Sequence, residues 1–203
     1  MKGIFITFEG GEGAGKSTHI GFAASYFRQK GKQVVVVHEP GCTALGEQIR
    51  RILLDPHNKS MSVEAELTLY LIARARLVSE IIRPAIEKGN VVISDRYEDS
   101  TIVYQGYAGG LPLEQVKKTA SQARGDLLPH LTFLLDLDVK EGLRRSGRKD
   151  RMEHKSLRFH KRIRKGYLAL AKQNPKRFVV ISSQAPKLEV QRKIKEKLDH
   201  VFN

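Results

Sequence analysis

The chain has 203 residues, of which 40% are hydrophobic and 29% are charged. This composition suits a single folded domain over residues 1–203 and excludes both a disordered chain and a membrane-spanning one. The formal net charge of +14 would by itself indicate a nucleic-acid partner. A single cysteine, Cys42, excludes a disulfide framework, and with no room for a signal peptide before the first predicted strand we expect a cytoplasmic protein.

The first predicted strand, residues 4–8, leads into a glycine-rich segment that fits the phosphate-binding pattern G-x-x-x-x-G-K-[S/T]. In such a P-loop, backbone N–H groups converge on phosphate oxygens, the lysine reaches the β- and γ-phosphates, and the hydroxyl ligates Mg²⁺. A chance glycine-rich turn is the alternative, and the predicted strand before the segment and helix after it argue against that. The predicted ATP-binding residues are Gly10, Gly11, Glu12, Gly13, Ala14, Gly15, Lys16, Ser17 and Thr18, with Lys16 catalytic and Ser17 a Mg²⁺ ligand.

Four more short apolar runs follow, each separated from the next by a helical pattern. They cover residues 34–37, 91–94, 131–135 and 178–181. Five strand–helix units predict an α/β fold of the P-loop NTPase type, with three α/β/α layers and helices on both faces of a five-stranded parallel sheet.

Two of the helices can be predicted in more detail. The longest helix is predicted over residues 63–88, and Pro84 should kink or break it near Arg83. A C-terminal helix is predicted over 187–201. Its apolar stripe of Val190, Ile194, Leu198 and Val201 indicates core packing.

Polar residues lie just past the predicted strand ends, where ligands bind in open parallel sheets. Glu12, Glu39, Asp95, Arg96 and the segment after Asp136 should therefore share one rim of the sheet. Asp95 holds the position of a carboxylate that binds Mg²⁺ near Ser17, although a turn or cap residue is the alternative. Arg96 can clamp a second phosphate with two parallel hydrogen bonds, or it can be a surface ion pair.

Tyr70 and Arg74 share one face of the long helix at i, i+4 spacing. An aromatic ring beside a guanidinium suits the base and phosphate of one nucleotide. A half-buried tyrosine beside a solvated arginine is an equally good interpretation.

The positive charge is concentrated in residues 140–165, which hold twelve Lys and Arg against three acidic residues, a net of +9. A phosphate monoester is already a nucleophilic dianion at neutral pH, so a kinase that phosphorylates one needs positioning and positive charge rather than a general base. We therefore predict a mobile lid at about 142–155, with Arg148 and Arg151 as catalytic arginines. A solvated basic helix face is the alternative, and we expect it for Lys155, Arg158 and Lys161.

The chain resembles the thymidylate kinases (dTMP kinases) over nearly its whole length. Segments 8–10, 39–43, 70–74 and 151–167 carry the resemblance together with the Asp-Arg-Tyr block that begins at 95 and runs on to Tyr-Gln-Gly at 104–106. The resemblance implies transfer of the γ-phosphoryl group of ATP to dTMP, giving dTDP and ADP, with Mg²⁺ as cofactor. It also implies a homodimer that associates through helices.

By the same resemblance, Arg96 and Arg74 would clamp the dTMP phosphate and Arg50 would contact it too. Tyr70 would stack on thymine. Arg74 would also reach the base edge, Thr101 and Gln105 would help to read it, and Tyr104 would lie against the sugar. Glu12 would approach the 3′-hydroxyl, and Glu39 would lie near Mg²⁺ and phosphate, with Ser17 and Asp95 as the other metal ligands.

Some positions depart from the family pattern. Gly13 stands where one branch carries a catalytic arginine, so lid arginines would supply that charge, as in the bacterial branch. Cys42 replaces a usual glycine, and His38 replaces a common arginine.

Two other functions remain open from the residues alone. One is the same chemistry on a different nucleoside monophosphate or on a deoxynucleoside. The other is an ATP-dependent nucleic-acid-binding module that uses the basic segment, but no known nucleic-acid module is recognisable. The predicted partners are therefore ATP and dTMP, with neither nucleic acid nor membrane.

Overall fold

The computed structural model of the protein describes residues 3–147 and 150–202. Within these ranges, parallel strands form one five-stranded sheet in the order β2-β3-β1-β4-β5. The strands are β1 (Ile4–Glu9), β2 (Val34–His38), β3 (Val91–Asp95), β4 (Leu131–Asp136) and β5 (Phe178–Ser182). The predicted α/β fold and all five strands are confirmed, and each strand extends one residue beyond its apolar run into a polar residue.

Helices cover both faces of this sheet because alternate strand residues point to opposite sides. Ile6 and Phe8 of the central strand β1 join a core cluster on one face, whereas Phe5 joins a cluster on the other. The helical segments in the described ranges are α1 (Lys16–Gln29), α2 (Ala44–Leu54), α3 (Val63–Leu77), α4 (Arg83–Glu87), α5 (Glu98–Thr101), α6 (Leu113–Arg124), α7 (Val139–Ser146), α8 (Leu157–Gln173), α9 (Lys187–Phe202) and two π-helical stretches, Val78–Ile82 and Ile102–Ala108.

The long predicted helix is interrupted where Pro84 requires it. The helix widens into the π-helical stretch Val78–Ile82 before α4 begins at Arg83. Arg83 N–H donates to the carbonyl of Val78, five residues earlier. Pro84 has no N–H to donate and its ring crowds the preceding turn. The predicted break near Arg83 is therefore confirmed.

The C-terminal helix α9 confirms most of its predicted stripe. Val190, Ile194 and Leu198 are buried in the same core cluster as α1. Val201 is 40% exposed, so its predicted core position is wrong. It lies in the last turn of the helix, where the next residue, Phe202, packs on Phe27 instead. Among the helices of the described ranges, none is both long enough and apolar enough to cross a bilayer.

Candidate active site

A cavity of about 340 Å³ lies at the carboxyl ends of β1, β2 and β3, as the rule for open parallel sheets predicts. Most of the predicted site residues line it. They are Glu12, Gly13, Ala14, Gly15, Lys16, Ser17, Thr18, Glu39, Arg50, Tyr70, Arg74, Asp95, Arg96, Thr101, Tyr104 and Gln105. Gly10 and Gly11 border a smaller adjoining cavity.

The P-loop folds around the ammonium group of Lys16. Its Nζ donates to the carbonyl oxygens of Gly10 and Gly11 at 3.3 and 3.1 Å. Burial lowers the pKa of this amine, and the nearby Arg96 charge adds to that effect. Gly10 has a φ of 144°, and a Cβ there would lie 2.5 Å from the Leu135 carbonyl oxygen. Only glycine therefore lets the loop pass this close to the end of β4.

The loop also packs tightly against α7, the helix whose second half falls within the predicted lid. Gly13 has a φ of 65°, and a Cβ there would lie 2.0 Å from the Gly142 carbonyl oxygen. In return, a Cβ on Gly142 would lie 2.4 Å from the carbonyl oxygen of Glu12. A larger side chain at position 13 has no room in this arrangement.

The hydroxyl of Ser17 and the carboxylate of Asp95 face each other across the loop. The Ser17 Oγ donates to Asp95 Oδ2 at 3.5 Å. Both oxygens border the cavity, and oxygen ligands are those that Mg²⁺ prefers. This donor pair therefore fits the predicted metal position.

Arg96 is held on several sides. It adopts a φ of 70°, which is rare for a residue with a side chain. Its Nη1 donates to the carbonyl oxygen of Gly10 at 2.9 Å and to Tyr167 Oη at 3.1 Å, while its Nη2 donates to Glu12 Oε1 at 2.9 Å. The guanidinium carbon also lies 5.1 Å from the centre of the Tyr104 ring. These contacts fix its position before any ligand arrives.

Glu9, a residue that sequence reasoning missed, is linked to Arg96 through the hydroxyl groups of Ser100 and Tyr167. This fully buried carboxylate accepts hydrogen bonds from Ser100 Oγ at 2.7 Å, from Tyr167 Oη at 3.0 Å and from the Tyr97 backbone at 2.8 Å. Burial, with the nearby charge of Asp99 adding to it, raises the pKa of Glu9 to about 7. An acidic residue that ends a buried apolar strand was the available signal in the sequence.

Glu12 has the opposite electrostatics. Burial disfavours its charged form, but Arg96, Lys16 and the Tyr104 hydroxyl outweigh that effect and lower its pKa to about 2. Tyr104 Oη donates to Glu12 Oε1 at 2.7 Å. This carboxylate is therefore ionised across the physiological pH range.

Glu39 and Arg74 form a buried pair at the opposite wall. Arg74 Nε donates to both carboxylate oxygens of Glu39, at 3.2 and 2.9 Å, and Nη2 donates to Glu39 Oε2 and to Thr101 Oγ1. Burial raises the pKa of Glu39 despite the adjacent guanidinium. Within the described residues, Nη1 of Arg74 has no hydrogen-bond partner. The solvated form of Arg74 is excluded, because the side chain is 1% exposed.

Of the two predicted lid arginines, the structure describes Arg151, and this residue does not line the cavity. Arg151 is buried beside it, where it pairs with Glu66 and donates to the Leu53 carbonyl oxygen at 2.7 Å. Arg148 lies outside the described residues, and the roles of both arginines stay predictions. Lys155 is not a solvated helix residue as expected, because it precedes α8 and lies 3.4 Å from Glu66.

Two further arginines of the basic segment have partners in the structure. Arg145, which sequence reasoning did not select, lines the cavity and donates to the Ser183 carbonyl oxygen at 3.2 Å. Arg164 donates to both carboxylate oxygens of Asp136, at 2.7 and 2.8 Å. Part of the positive charge of the +9 segment is therefore paired with acidic side chains, as Arg164 is with Asp136.

Comparisons with known proteins point in one direction. A family model described as "Thymidylate kinase" matches residues 8–194. A thymidylate kinase of Symbiobacterium thermophilum is 46% identical over 201 residues, covering 98% of this chain and 94% of the relative. One of Desulfovibrio desulfuricans is 45% identical, covering 92% and 91%. A crystal structure of thymidylate kinase from Ehrlichia chaffeensis superposes with a TM-score of 0.81 at 31% identity, covering 98% and 99%.

Proposed function

This chain belongs to the thymidylate kinase family and transfers the γ-phosphoryl group of ATP to dTMP, and we propose that the cavity described above binds both substrates side by side. One observation carries this proposal. The carbonyl oxygen of Gly10 accepts hydrogen bonds from both Lys16 and Arg96, at 3.3 and 2.9 Å. Two fixed cations therefore meet between the P-loop and the acceptor wall.

On the donor side, the P-loop binds the ATP phosphates. Its backbone N–H groups cradle the phosphate oxygens, at the N-terminal end of α1, which begins at Lys16. Lys16 leaves the loop carbonyls and donates to the β- and γ-phosphates, where its charge is needed. Arg145 at the base of the lid adds a further positive charge on this side.

On the acceptor side, Arg96 clamps the dTMP phosphate. A dianionic phosphate offers Nη2 of Arg96 a stronger acceptor than the partly solvated carboxylate of Glu12. Arg50 makes a second contact to this phosphate. Its Nη1 donates to the Pro40 carbonyl oxygen at 2.9 Å. Tyr104, held by Glu12, packs on the sugar where a ribose would carry its 2′-hydroxyl. Glu12 accepts from the 3′-hydroxyl.

The base is read at the wall formed by α3, α5 and the second π-helical stretch. Tyr70 stacks on thymine, while Arg74, Thr101 and Gln105 present polar atoms to the base edge. The unpartnered Nη1 of Arg74 and the unpartnered Oε1 of Gln105, both judged over the described part of the chain, are the groups that a base edge would satisfy.

Ser17 and Asp95 would hold Mg²⁺ beside the β- and γ-phosphates. When bound, the metal offsets negative charge on the phosphates. We assign Glu39 to orienting Arg74 first, because both of its oxygens accept from that side chain, and to the metal region second. Arg148 and Arg151 remain our candidates for stabilising charge on the transferring group from the lid at about 142–155.

The protein is also proposed to be a cytoplasmic homodimer. The adjacent helices α2 and α3 expose Ile52 and Ile72 by 45% and 43%, which supports an interface there. A reduced thiol and the use of ATP fit the cytoplasm. Sedimentation at several protein concentrations measures the oligomeric state.

The test is the variant Lys16→Ala. We expect kcat for ADP release with ATP and dTMP to fall by at least about 100-fold, since this side chain stabilises charge at the reacting phosphates. The unfolding temperature should stay near that of the wild-type protein. Lys172→Ala is the matched control, because Lys172 is exposed on α8. Normal turnover by Lys16→Ala would contradict the assignment of the P-loop.

A further inference from the structure

Three metal-binding residue types meet where β2 passes into α2. His38 ends β2, Cys42 lies in the connecting loop, and Glu47 lies in the first turn of α2. One ligand atom from each of these residues lies within 4.8 Å of the other two. The proposed phosphoryl transfer uses none of the three.

The imidazole of His38 lies between its two partners. Its Nδ1 is 3.1 Å from the Cys42 sulfur, and its Nε2 is 2.9 Å from Glu47 Oε1. Two backbone hydrogen bonds fix the arrangement: His38 N–H donates to the sulfur at 3.2 Å, and Cys42 N–H donates to Glu47 Oε1 at 2.7 Å. The three side chains are therefore already in contact, and a cation bound at one imidazole nitrogen needs only a rotation of Cys42 or Glu47 to gather all three ligands.

The backbone at Cys42 shows that the thiol is placed there at a conformational cost. Its φ is 65°, in the left-handed region that favours glycine. A side chain held in such a conformation is a reason to look for a role. The side chains of His38 and Glu47 are 43% and 45% exposed, so solutes reach the cluster from solvent.

We propose that His38, Cys42 and Glu47 bind a thiophilic divalent cation of the zinc class. A thiolate, an imidazole and a carboxylate are the ligand types that zinc takes in proteins, and water completes a tetrahedral set. The thiolate and carboxylate charges together balance the dication. Mg²⁺ prefers oxygen ligands and is not expected to compete here, so this site is separate from the proposed Ser17 and Asp95 pair.

Binding is accompanied by loss of one proton. A free cysteine thiol is mostly protonated near neutral pH. The S–H bond breaks as the sulfur–metal bond forms, and the proton goes to solvent. Neither an oxidant nor a reductant is required.

The experiment uses Co²⁺ as a spectroscopic probe and Zn²⁺ as the competitor. The purified full chain is reduced with a reductant that does not chelate metals, stripped of metal, and titrated with Co²⁺ in excess Mg²⁺. We expect a thiolate-to-cobalt charge-transfer absorption that saturates at one Co²⁺ per chain and disappears when Zn²⁺ is added. Absence of this absorption in the wild-type protein would overturn the proposal.

Two substitutions at Cys42 make the test specific. Cys42→Gly removes the ligand and suits the backbone, because a φ of 65° is easy for glycine, and Cys42→Ser is the second variant. Both should lose the absorption, and Glu47→Gln should weaken Co²⁺ binding by about 10-fold or more. Equal Zn²⁺ affinity in Cys42→Gly and the wild-type protein would refute the site. His38 also lines the cavity, but the Co²⁺ titration contains no nucleotide, so its outcome does not depend on which acceptor the cavity takes.

Discussion

Replacing Gly142 with alanine should force the P-loop away from α7. An added Cβ would lie 2.4 Å from the carbonyl oxygen of Glu12, whereas ordinary contacts begin at 3.4 Å. The two segments must therefore move apart by the difference, about 1 Å. Both sides of this contact are backbone, so no side-chain rotation relieves it.

This displacement should cost activity more than stability. A shift of about 1 Å in positioned groups lowers turnover by about 100-fold, because Glu12 and the phosphate-cradling amides lie in the segment that moves. Overpacking of this kind destabilises a protein by roughly 1–3 kcal/mol. We expect kcat to fall by about 10- to 100-fold while the protein stays folded at 25 °C.

The assay is steady-state ADP release with ATP and dTMP, accompanied by urea denaturation. Gly21→Ala on α1 is the matched control, because an added Cβ there meets no atom within 4 Å. That variant should keep full activity and gain slightly in helix stability. A kcat for Gly142→Ala within about twofold of the wild-type value would refute the argument that this contact positions the P-loop.

The other predictions concern buried charges. Glu9 has a pKa raised from 4.5 to about 7, so the native state keeps a proton that the unfolded chain loses. The free energy of unfolding of the wild-type protein, relative to that of Glu9→Gln, should therefore fall by about 3 kcal/mol as pH rises from 4.5 to 7. Urea denaturation at several pH values measures this difference. The same pH dependence in both proteins would contradict the prediction. Glu66→Gln should destabilise the protein by about 3 kcal/mol, because it leaves the buried charge of Arg151 unpaired, and adding Arg151→Met should restore most of that loss in the same assay. Arg151→Ala should lower kcat more than the KM for dTMP, and an effect confined to KM would make Arg151 a binding residue.

The parts that local sequence fixes were predicted well. Apolar runs such as residues 91–94 are typical of strands in a sheet that helices cover on both faces. Pro84 predicts the interruption of the long helix. The P-loop glycines and Lys16 were selected from their spacing alone, and their role in binding phosphate stays a prediction. The resemblance to thymidylate kinases is confirmed by the comparisons.

What depends on distant pairing could not be read from the sequence. Glu9 supports Arg96 through Tyr167, which is 158 positions away in the chain. Arg151 is attached to Glu66, 85 positions away, and no local pattern signals that partner. The stripe on α9 predicted Val201 as core, but whether a neighbour covers the last turn of a helix is a tertiary question.

The central claim is that one cavity joins the P-loop to a wall that accepts dTMP. Its most direct test is acceptor-dependent ADP release by the purified protein with ATP and Mg²⁺, comparing dTMP with dUMP, UMP, dCMP, AMP and thymidine. The account predicts the highest kcat/KM for dTMP and a strong loss for UMP, whose 2′-hydroxyl would meet Tyr104 and whose base lacks the methyl group. Equal turnover of dTMP, dUMP and UMP would contradict it.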